Sequence, residues 1–472
     1  MNQIQKPQNS ISPDLIVVGG GIFGLWAARH AIKRGERVLV LEKREIGAGA
    51  SGGFLGALMP HMPDNWEAKK QLQFAALSSM PAAIARLEAE TGIDCGYKRC
   101  GRLMPLTHEK MPENARRRIA GAKKNWTDEA GSQLFHFEVL ESGLKGTAGE
   151  GWLNEKIAPY GATFDDLSAR INPRQYVKAL ASYVTSDTHN LGEIRQGTEV
   201  VGVYAQSSGI SVTIANGENI SGSKVLIASG WEAYPFLGKM AASHRDRPIT
   251  GRGVKGQAVL LDFVHGDDRP MIYDDGSYVI PHANGRVAVG SSSVDNWLPN
   301  GLDDSDIPVN SSAYSAIGID ADHPGRPASV EPAKNRENSN DDLLPEFTEM
   351  PALAKRAILT GNDLATESFA GGLTADDPLA QKLVSAARSR FDPQDMEFYE
   401  RAVRLCPSIA DAQILERWAN VRPRNTVPHS LTGKISTEPL FGAIDGEKRI
   451  KVAIGGFKIS LGLAHLDVLN EG

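Results

Sequence analysis

Residues 14–43 read DLIVVGGGIFGLWAARHAIKRGERVLVLEK, and the order of parts in this stretch decides the fold. Asp14 to Gly19, DLIVVG, is a short continuous apolar run with β-branched residues, the pattern of a strand buried on both faces. Gly20 to Gly24 is glycine-rich, and Ile22 to Arg34 is helical, with Leu25, Ala28 and Ile32 on one face. Gly35 is the expected stop, because glycine adopts the left-handed conformation that ends helices. Arg37 to Glu42 is a second buried strand closing on an acid. Strand, glycine turn, helix and strand make a βαβ unit. Gly19-x-Gly21-x-x-Gly24 lies where a diphosphate needs it. The first glycine makes the turn, the second admits the phosphates to the backbone, and the third lets helix and sheet approach. The free N–H groups of the helix start favour an anion. Glu42 is placed to accept from ribose hydroxyls and to repel a 2′-phosphate, which argues against NADP.

Outward from this unit, residues 47–56 (GAGASGGFLG) form a second loop of small residues. A backbone that must lie along an extended cofactor needs such a loop, and the pair favours FAD over NAD. Trp66 to Glu90 reads as one long helix or two, broken near Pro81. Asn172-Pro173 is a cap followed by proline at the first helical position. Glu199 to Ala215 alternates as a hairpin about Ser207-Ser208-Gly209, and Lys224 to Gly230 is another buried strand. Residues 257–262, 278–281 and 286–290 read as strands of an antiparallel sheet. Residues 303–342 are polar and aperiodic, residues 345–411 are helical in pattern, and strand signals return at 414–421 and 449–454.

Composition bounds the rest. The chain has 472 residues, room for two or three compact units. Hydrophobic residues are 41% and charged residues 23%, so it is globular rather than disordered. Fifty-one basic and 57 acidic residues give −6, without the basic excess of a nucleic-acid module. Arg116-Arg117-Arg118 with Lys123-Lys124 is the one basic stretch, and it reads as a solvated helix face rather than a site for a macromolecular substrate. Three cysteines, Cys95, Cys100 and Cys406, match no zinc spacing and are too few for a disulfide framework. No metal site is expected. The polar start and the lack of a long apolar run suggest a cytoplasmic protein with no membrane span.

Four segments, DLIVVGGGIFGLWAARHAIKRGERVLVLEK, GASGGFLGALMPH (49–61), ERWANVRP (416–423) and GGFKISLGLA (455–464), together resemble the D-amino-acid oxidase-like flavoproteins of the glycine oxidase and monomeric sarcosine oxidase type. The resemblance implies an α/β fold: a doubly wound, Rossmann-like FAD-binding domain interleaved with an antiparallel-sheet α+β substrate domain. It assigns residues 14–90, 165–240 and 415–472 to the first and 91–164 and 241–302 to the second. Residues 303–414 form a long polar loop plus helical insertion in the substrate domain, a candidate surface for a protein partner. Contacts to FAD are implied for Gly19, Gly21, Ile22, Phe23, Gly24, Glu42, Lys43, Ala50, Ser51, Gly52, Val200 and Gly230. The C-terminal turn, Gly456, Phe457, Lys458, Ile459, Ser460 and Gly462, should face the flavin ring.

The resemblance further implies that Arg422 and Lys458 clamp a substrate carboxylate, that Tyr278 lines the pocket, and that His61 approaches the flavin. The expected reaction is oxidation of the C–N bond of a small amino acid or N-alkyl amino acid by hydride transfer to flavin N5, the imine then hydrolysing. The sarcosine oxidases tether flavin through a cysteine a little after the WANVRP region; no cysteine follows Cys406 here, so this departure from the pattern implies non-covalent FAD. Ala288 stands where the sarcosine oxidase pattern has a lysine linked to oxygen activation. That keeps open a second role, the FAD subunit of a multi-component dehydrogenase that passes electrons to a partner or quinone.

Overall fold

The computed structural model describes residues 12–293 (apart from 142, 235–236, 238–250, 267 and 284), 396–425, 439–444, 448–455 and 460–467. In chain order the strands are β1 (Leu15–Val18), β2 (Val38–Leu41), β3 (Ala57–Leu58), β4 (Arg102–Pro105), β5 (Phe137–Leu140), β6 (Ala162–Asp165), β7 (Ala169–Arg170), β8 (Gly192–Arg195), β9 (Val200–Gln206), β10 (Gly209–Ile214), β11 (Asn219–Gly222), β12 (Lys224–Ile227), β13 (Gly251–Asp262), β14 (Met271–Asp274), β15 (Ser277–His282), β16 (Arg286–Gly290), β17 (Gln413–Asn425), β18 (Leu440–Ala443) and β19 (Ile450–Ile454). The helices are α1 (Ile22–Lys33), α2 (Ala68–Thr91), α3 (Met111–Asn125), α4 (Pro173–Val184), α5 (Glu397–Leu405) and α6 (Ser460–Leu463).

A six-stranded sheet in the order β18-β19-β12-β1-β2-β8 holds the first unit, all of it parallel except β18 against β19. Its strands are apolar throughout because both faces are covered. Leu15, Val17, Val38, Val40 and Leu226 face α1, α2 and α4. Ile16, Val18, Leu39, Leu41, Val225 and Ile227 pack beneath an antiparallel meander of β9, β10 and β11. Helices on both faces are usual for a doubly wound sheet; here the meander covers one of them. The 207–209 hairpin found in the sequence is the first turn of that meander.

The second unit is an eight-stranded sheet, β17-β13-β16-β15-β14-β4-β6-β5. One face, through Val259, Leu261, Val279, Val287 and Val289, receives Phe398, Ala402 and Leu405 of α5. The other, through Ala258, Met271, Tyr278, Ile280 and Ala288, receives Phe54 and Leu55 of the second glycine loop. The period-two alternation of β15 and β16 divides these cores.

One sequence expectation changes and two others become definite. Residues 415–425, assigned to the cofactor half, lie in β17, the edge strand of the eight-stranded sheet, paired along its length with β13. Residues 397–405, within the helical insertion expected in the substrate domain, form α5 and pack into the core of the eight-stranded sheet. The rest of 303–395, with any partner surface there, lies outside the described residues. Of the one helix or two read at Trp66 to Glu90, the chain forms one: α2 runs through Pro81 unbroken. Proline removes the N–H that would bond the carbonyl of residue 77. Arg99 takes that carbonyl instead, donating Nη2 to the Leu77 oxygen at 2.9 Å.

Candidate functional site

In a parallel sheet, ligands bind beyond the carboxyl ends of the strands where the strand order reverses. Here β1 leads to β2 on one side while β12 and β19 lie on the other. At that edge the chain leaves β1 into Gly19, β12 into Ser229 and Gly230, and β19 into Gly455.

Three glycines at this edge have three different jobs. Gly19 has φ +111°, and a Cβ there would lie 2.6 Å from the Ala228 carbonyl oxygen. A Cβ on Gly24 would lie 2.1 Å from the Gly19 carbonyl oxygen, so this glycine is needed for helix and turn to meet. A Cβ on Gly21 would meet only the Ser51 hydroxyl, at 3.3 Å. Packing therefore requires Gly19 and Gly24, whereas Gly21 leaves open a cradle at the α1 N-terminus. No side chain at the Gly21 cap position closes that helix end, and the Ile22 N–H donates to Ser51 Oγ at 3.1 Å. Glu42 is buried at the end of β2. Its carboxylate accepts from the Gly20 N–H at 2.7 Å and the Arg44 N–H at 2.9 Å, and each oxygen keeps a second lone pair. A glycine cradle, a bare helix start and an adjacent carboxylate fit the pyrophosphate and ribose of a dinucleotide.

The second glycine loop lies against this turn, with the Gly47 N–H donating to the Gly20 carbonyl at 3.1 Å. Its carbonyls are drawn into the protein. Asn420 Nδ2 donates to Ala48 O at 2.9 Å, Arg174 Nε to Gly52 O at 2.7 Å, His282 Nε2 to Phe54 O at 2.8 Å, and the Ile171 N–H to Gly56 O at 2.9 Å. Burial pushes His282 down to about 4, so the ring stays neutral. Asn420, Arg174 and His282 escaped the sequence reading. They come from β17, α4 and β15, and no local pattern marks a side chain that bonds to a distant loop.

Ala50, Ser51 and Gly52 form a short 3-10 turn facing the α1 start. Lys43 pairs with Glu199 at 2.7 Å, and Thr198 N–H donates to the Glu42 carbonyl, which brings Val200 beside the end of β2. Gly456, Phe457, Lys458 and Ile459 lie outside the described residues. Ser460 opens α6, and a Cβ on Gly462 would lie 3.1 Å from the Leu77 side chain.

The eight-stranded sheet brings the substrate-side candidates onto one face. Tyr278 is opposite Gly290, Gly290 opposite Ala258, and Ala258 opposite Trp418. Opposed residues share a face, and so do residues two apart along a strand. Trp418, Asn420 and Arg422 therefore line the face that carries Tyr278 and Ala288, the face against the glycine loop. Arg422 lies over Gly256 and donates Nη2 to Ser292 O and Ser293 Oγ, both at 3.0 Å. Lys255 and Gln257 point to the opposite side of β13, away from this face.

Tyr278 is buried against Tyr273, with ring centroids 4.9 Å apart. Burial pushes its phenol up, Tyr273 adds to this, and the Arg422 and Arg102 cations oppose it. The hydroxyl therefore remains a donor at neutral pH. His61, two residues beyond Met59 of this face's core, is tied to α2 by Gln73. The cysteines are buried thiols; Cys100, beside Tyr278, is pushed up to about 11 by burial. Among the described residues no group of His, Cys, Asp or Glu could hold a metal, and no helix is long and apolar enough to cross a membrane.

A dinucleotide cradle at a switch point, faced by a sheet bearing a cation and a phenol, defines an oxidoreductase built around a bound redox cofactor. The chain belongs to the FAD-dependent oxidoreductase family DAO, whose pattern matches residues 14–466. Its cofactor is FAD. A glycine oxidase of Geobacillus kaustophilus is 27% identical over 288 residues, covering 59% of this chain and 70% of the relative. The crystal structure of glycine oxidase from that organism superposes with a TM-score of 0.64 at 20% identity, covering 97% of this chain and 93% of the other. An L-amino acid deaminase from Proteus vulgaris gives the same TM-score at 14% identity, covering 98% and 94%.

Proposed function

We propose that this enzyme oxidises the C–N bond of a small amino acid or N-alkyl amino acid, with Arg422 binding the substrate carboxylate and FAD held non-covalently. The observation that carries this reading is Arg422 on the glycine-loop face of the sheet. Its fork is held from Ser292 and Ser293, over a glycine that leaves it room. Arginine matches a carboxylate with two parallel N–H bonds, which fixes orientation as well as charge. The relatives named glycine oxidase and L-amino acid deaminase favour substrates with a carboxylate and an amine. FAD, when bound, supplies the two-electron acceptor.

The protein's part is positioning. Gly19, Gly21 and Gly24 with the α1 start hold the pyrophosphate, and Glu42 holds the ribose. Arg422 fixes one end of the substrate, and Tyr278 offers a protonated hydroxyl beside it. Lys458 is proposed as a second cation for the carboxylate. A tether through sulfur is disfavoured because Cys406 packs on the α5 side of the sheet and Cys100 is a buried thiol.

Ala288 is buried on the cofactor-side face and offers no cation there. This favours a second reading for the oxidative half, with an electron acceptor other than oxygen. Anaerobic bleaching of the flavin by a panel of amino acids tests the first reading. Failure of all of them, while other reductants bleach it, refutes the substrate class. Peroxide formed at the rate of substrate turnover would refute the second.

A further inference from the structure

Met59, Pro60 and His61 carry the second glycine loop from β3 towards α2. Met59 packs with Tyr278, Ile280 and Ala288. The Pro60 carbonyl accepts from Arg102 Nη1 at 3.2 Å, so this segment walls the same face of the sheet. Gln73 of α2 is buried and makes three bonds to it. Its Oε1 is 2.6 Å from the His61 backbone nitrogen and 2.6 Å from His61 Nδ1, and its Nε2 is 2.9 Å from the Met59 carbonyl oxygen.

These partners remove the usual ambiguity of an amide. A backbone N–H can only donate and a backbone carbonyl can only accept, so the amide oxygen must face His61 and the NH2 must face Met59. An amide oxygen in turn can only accept. His61 Nδ1 therefore carries hydrogen, and in the neutral ring Nε2 has the free lone pair. Burial holds the ring below its ordinary value of 6.5, Lys69 and Lys70 push the same way, and the Gln73 bond and Glu67 oppose. The other charges around it are already paired: Asp64 with Arg118 of α3 at 3.3 Å, and Arg102 of β4 with Asp165 at 2.8 Å.

We propose that Gln73 is a positioning residue that presents His61 as its Nδ1–H tautomer, so that Nε2 accepts a proton from the substrate ammonium before oxidation. The proposal rests on the amino-acid reading above. In this step an N–H bond of the ammonium breaks, an Nε2–H bond forms, and the electron pair stays on the amine nitrogen. The freed lone pair is what the loss of the Cα–H needs, and the proton leaves to solvent when the ring is next exposed.

Long-range proton–nitrogen spectra of the 15N-labelled, FAD-loaded protein read the tautomer. The expected result is hydrogen on Nδ1; hydrogen on Nε2 overturns the proposal. The limiting rate of anaerobic flavin bleaching should fall along an acid limb below pH 6.5, where the ring becomes charged. H61N should lose that limb and about 100-fold in rate. Q73E places a carboxylate on Nδ1–H and should move the limb up by about 1 pH unit. Q73M, of similar volume and without any of the three bonds, should lose the fixed tautomer. A purely structural role would change melting temperature or FAD affinity and leave the limb in place, and an unmoved limb in H61N and Q73E overturns the proposal. If no amino acid bleaches the flavin, the substrate reading fails, and the tautomer spectrum decides the role of Gln73 alone.

Discussion

Replacing Gly256 by alanine tests whether Arg422 binds the substrate. The new Cβ would lie 3.0 Å from Arg422 Cζ and Nη2 and 3.1 Å from Nε, closer than ordinary contact. Those atoms end a flexible side chain, so the fork retreats by several tenths of an ångström and the backbone stays put. Alanine in a strand costs no more than glycine, and it recovers about 0.5–1 kcal/mol of chain entropy. The fold should therefore hold, with melting within a few degrees of wild type. A charge-assisted bond contributes about 1.5–3 kcal/mol, so full loss in R422A should raise KM about 10- to 150-fold. G256A misaligns the fork without removing it, and about 5- to 10-fold is expected on the same scale. Carboxylate binding is shared by ground and transition states, so kcat should change little. Stopped-flow bleaching against substrate concentration gives both constants, and titration with a simple carboxylate inhibitor gives the binding term alone. Unchanged KM and inhibitor affinity in a well-folded G256A would refute the role of Arg422. A large fall in melting temperature would refute the steric argument.

Further outcomes follow from the same geometry. G24A drives a Cβ into the Gly19 carbonyl and should lower stability by about 2 kcal/mol or more, seen as poor soluble yield or early melting of the apoprotein. G21A meets only a hydroxyl, so its apoprotein should melt like wild type while FAD affinity falls at least about 10-fold; normal FAD binding by G21A would contradict the cradle. His282 and His465 are both held near 4 by burial. Their unfolded forms bind a proton below pH 6.5 while the folded forms do not. Stability is therefore complete above that pH and falls towards pH 4, by roughly 1 kcal/mol per pH unit for each ring. Denaturant titrations at pH 7, 6 and 5 check this, and a flat profile would show that the rings are not buried neutral. Burial pushes Cys95 up to about 12 and Cys100 and Cys406 up to about 11, so a thiol reagent at pH 8 should label none in the native state and all three in denaturant.

The sequence determined, unaided, what depends on neighbours in the chain. The βαβ unit of residues 14–43, its glycines and its terminal acid were readable because a turn, a helix start and a 3.6-residue period are local consequences of residue type. The same holds for Asn172, whose side chain caps the α4 N–H groups as its position before Pro173 predicts. What the sequence left open or misplaced was non-local. Pro81 leaves one helix or two open; a guanidinium eighteen residues on takes the carbonyl that proline orphans, and the helix continues. Residues 415–425 look like a return to the cofactor unit, but their partner is β13, more than 150 residues earlier. The face of that pairing decides that Arg422, Trp418 and Tyr278 look the same way. Likewise a histidine in a sequence has no tautomer. His61 acquires one only because a buried amide, pinned by one donor and one acceptor, leaves it a single way to bond.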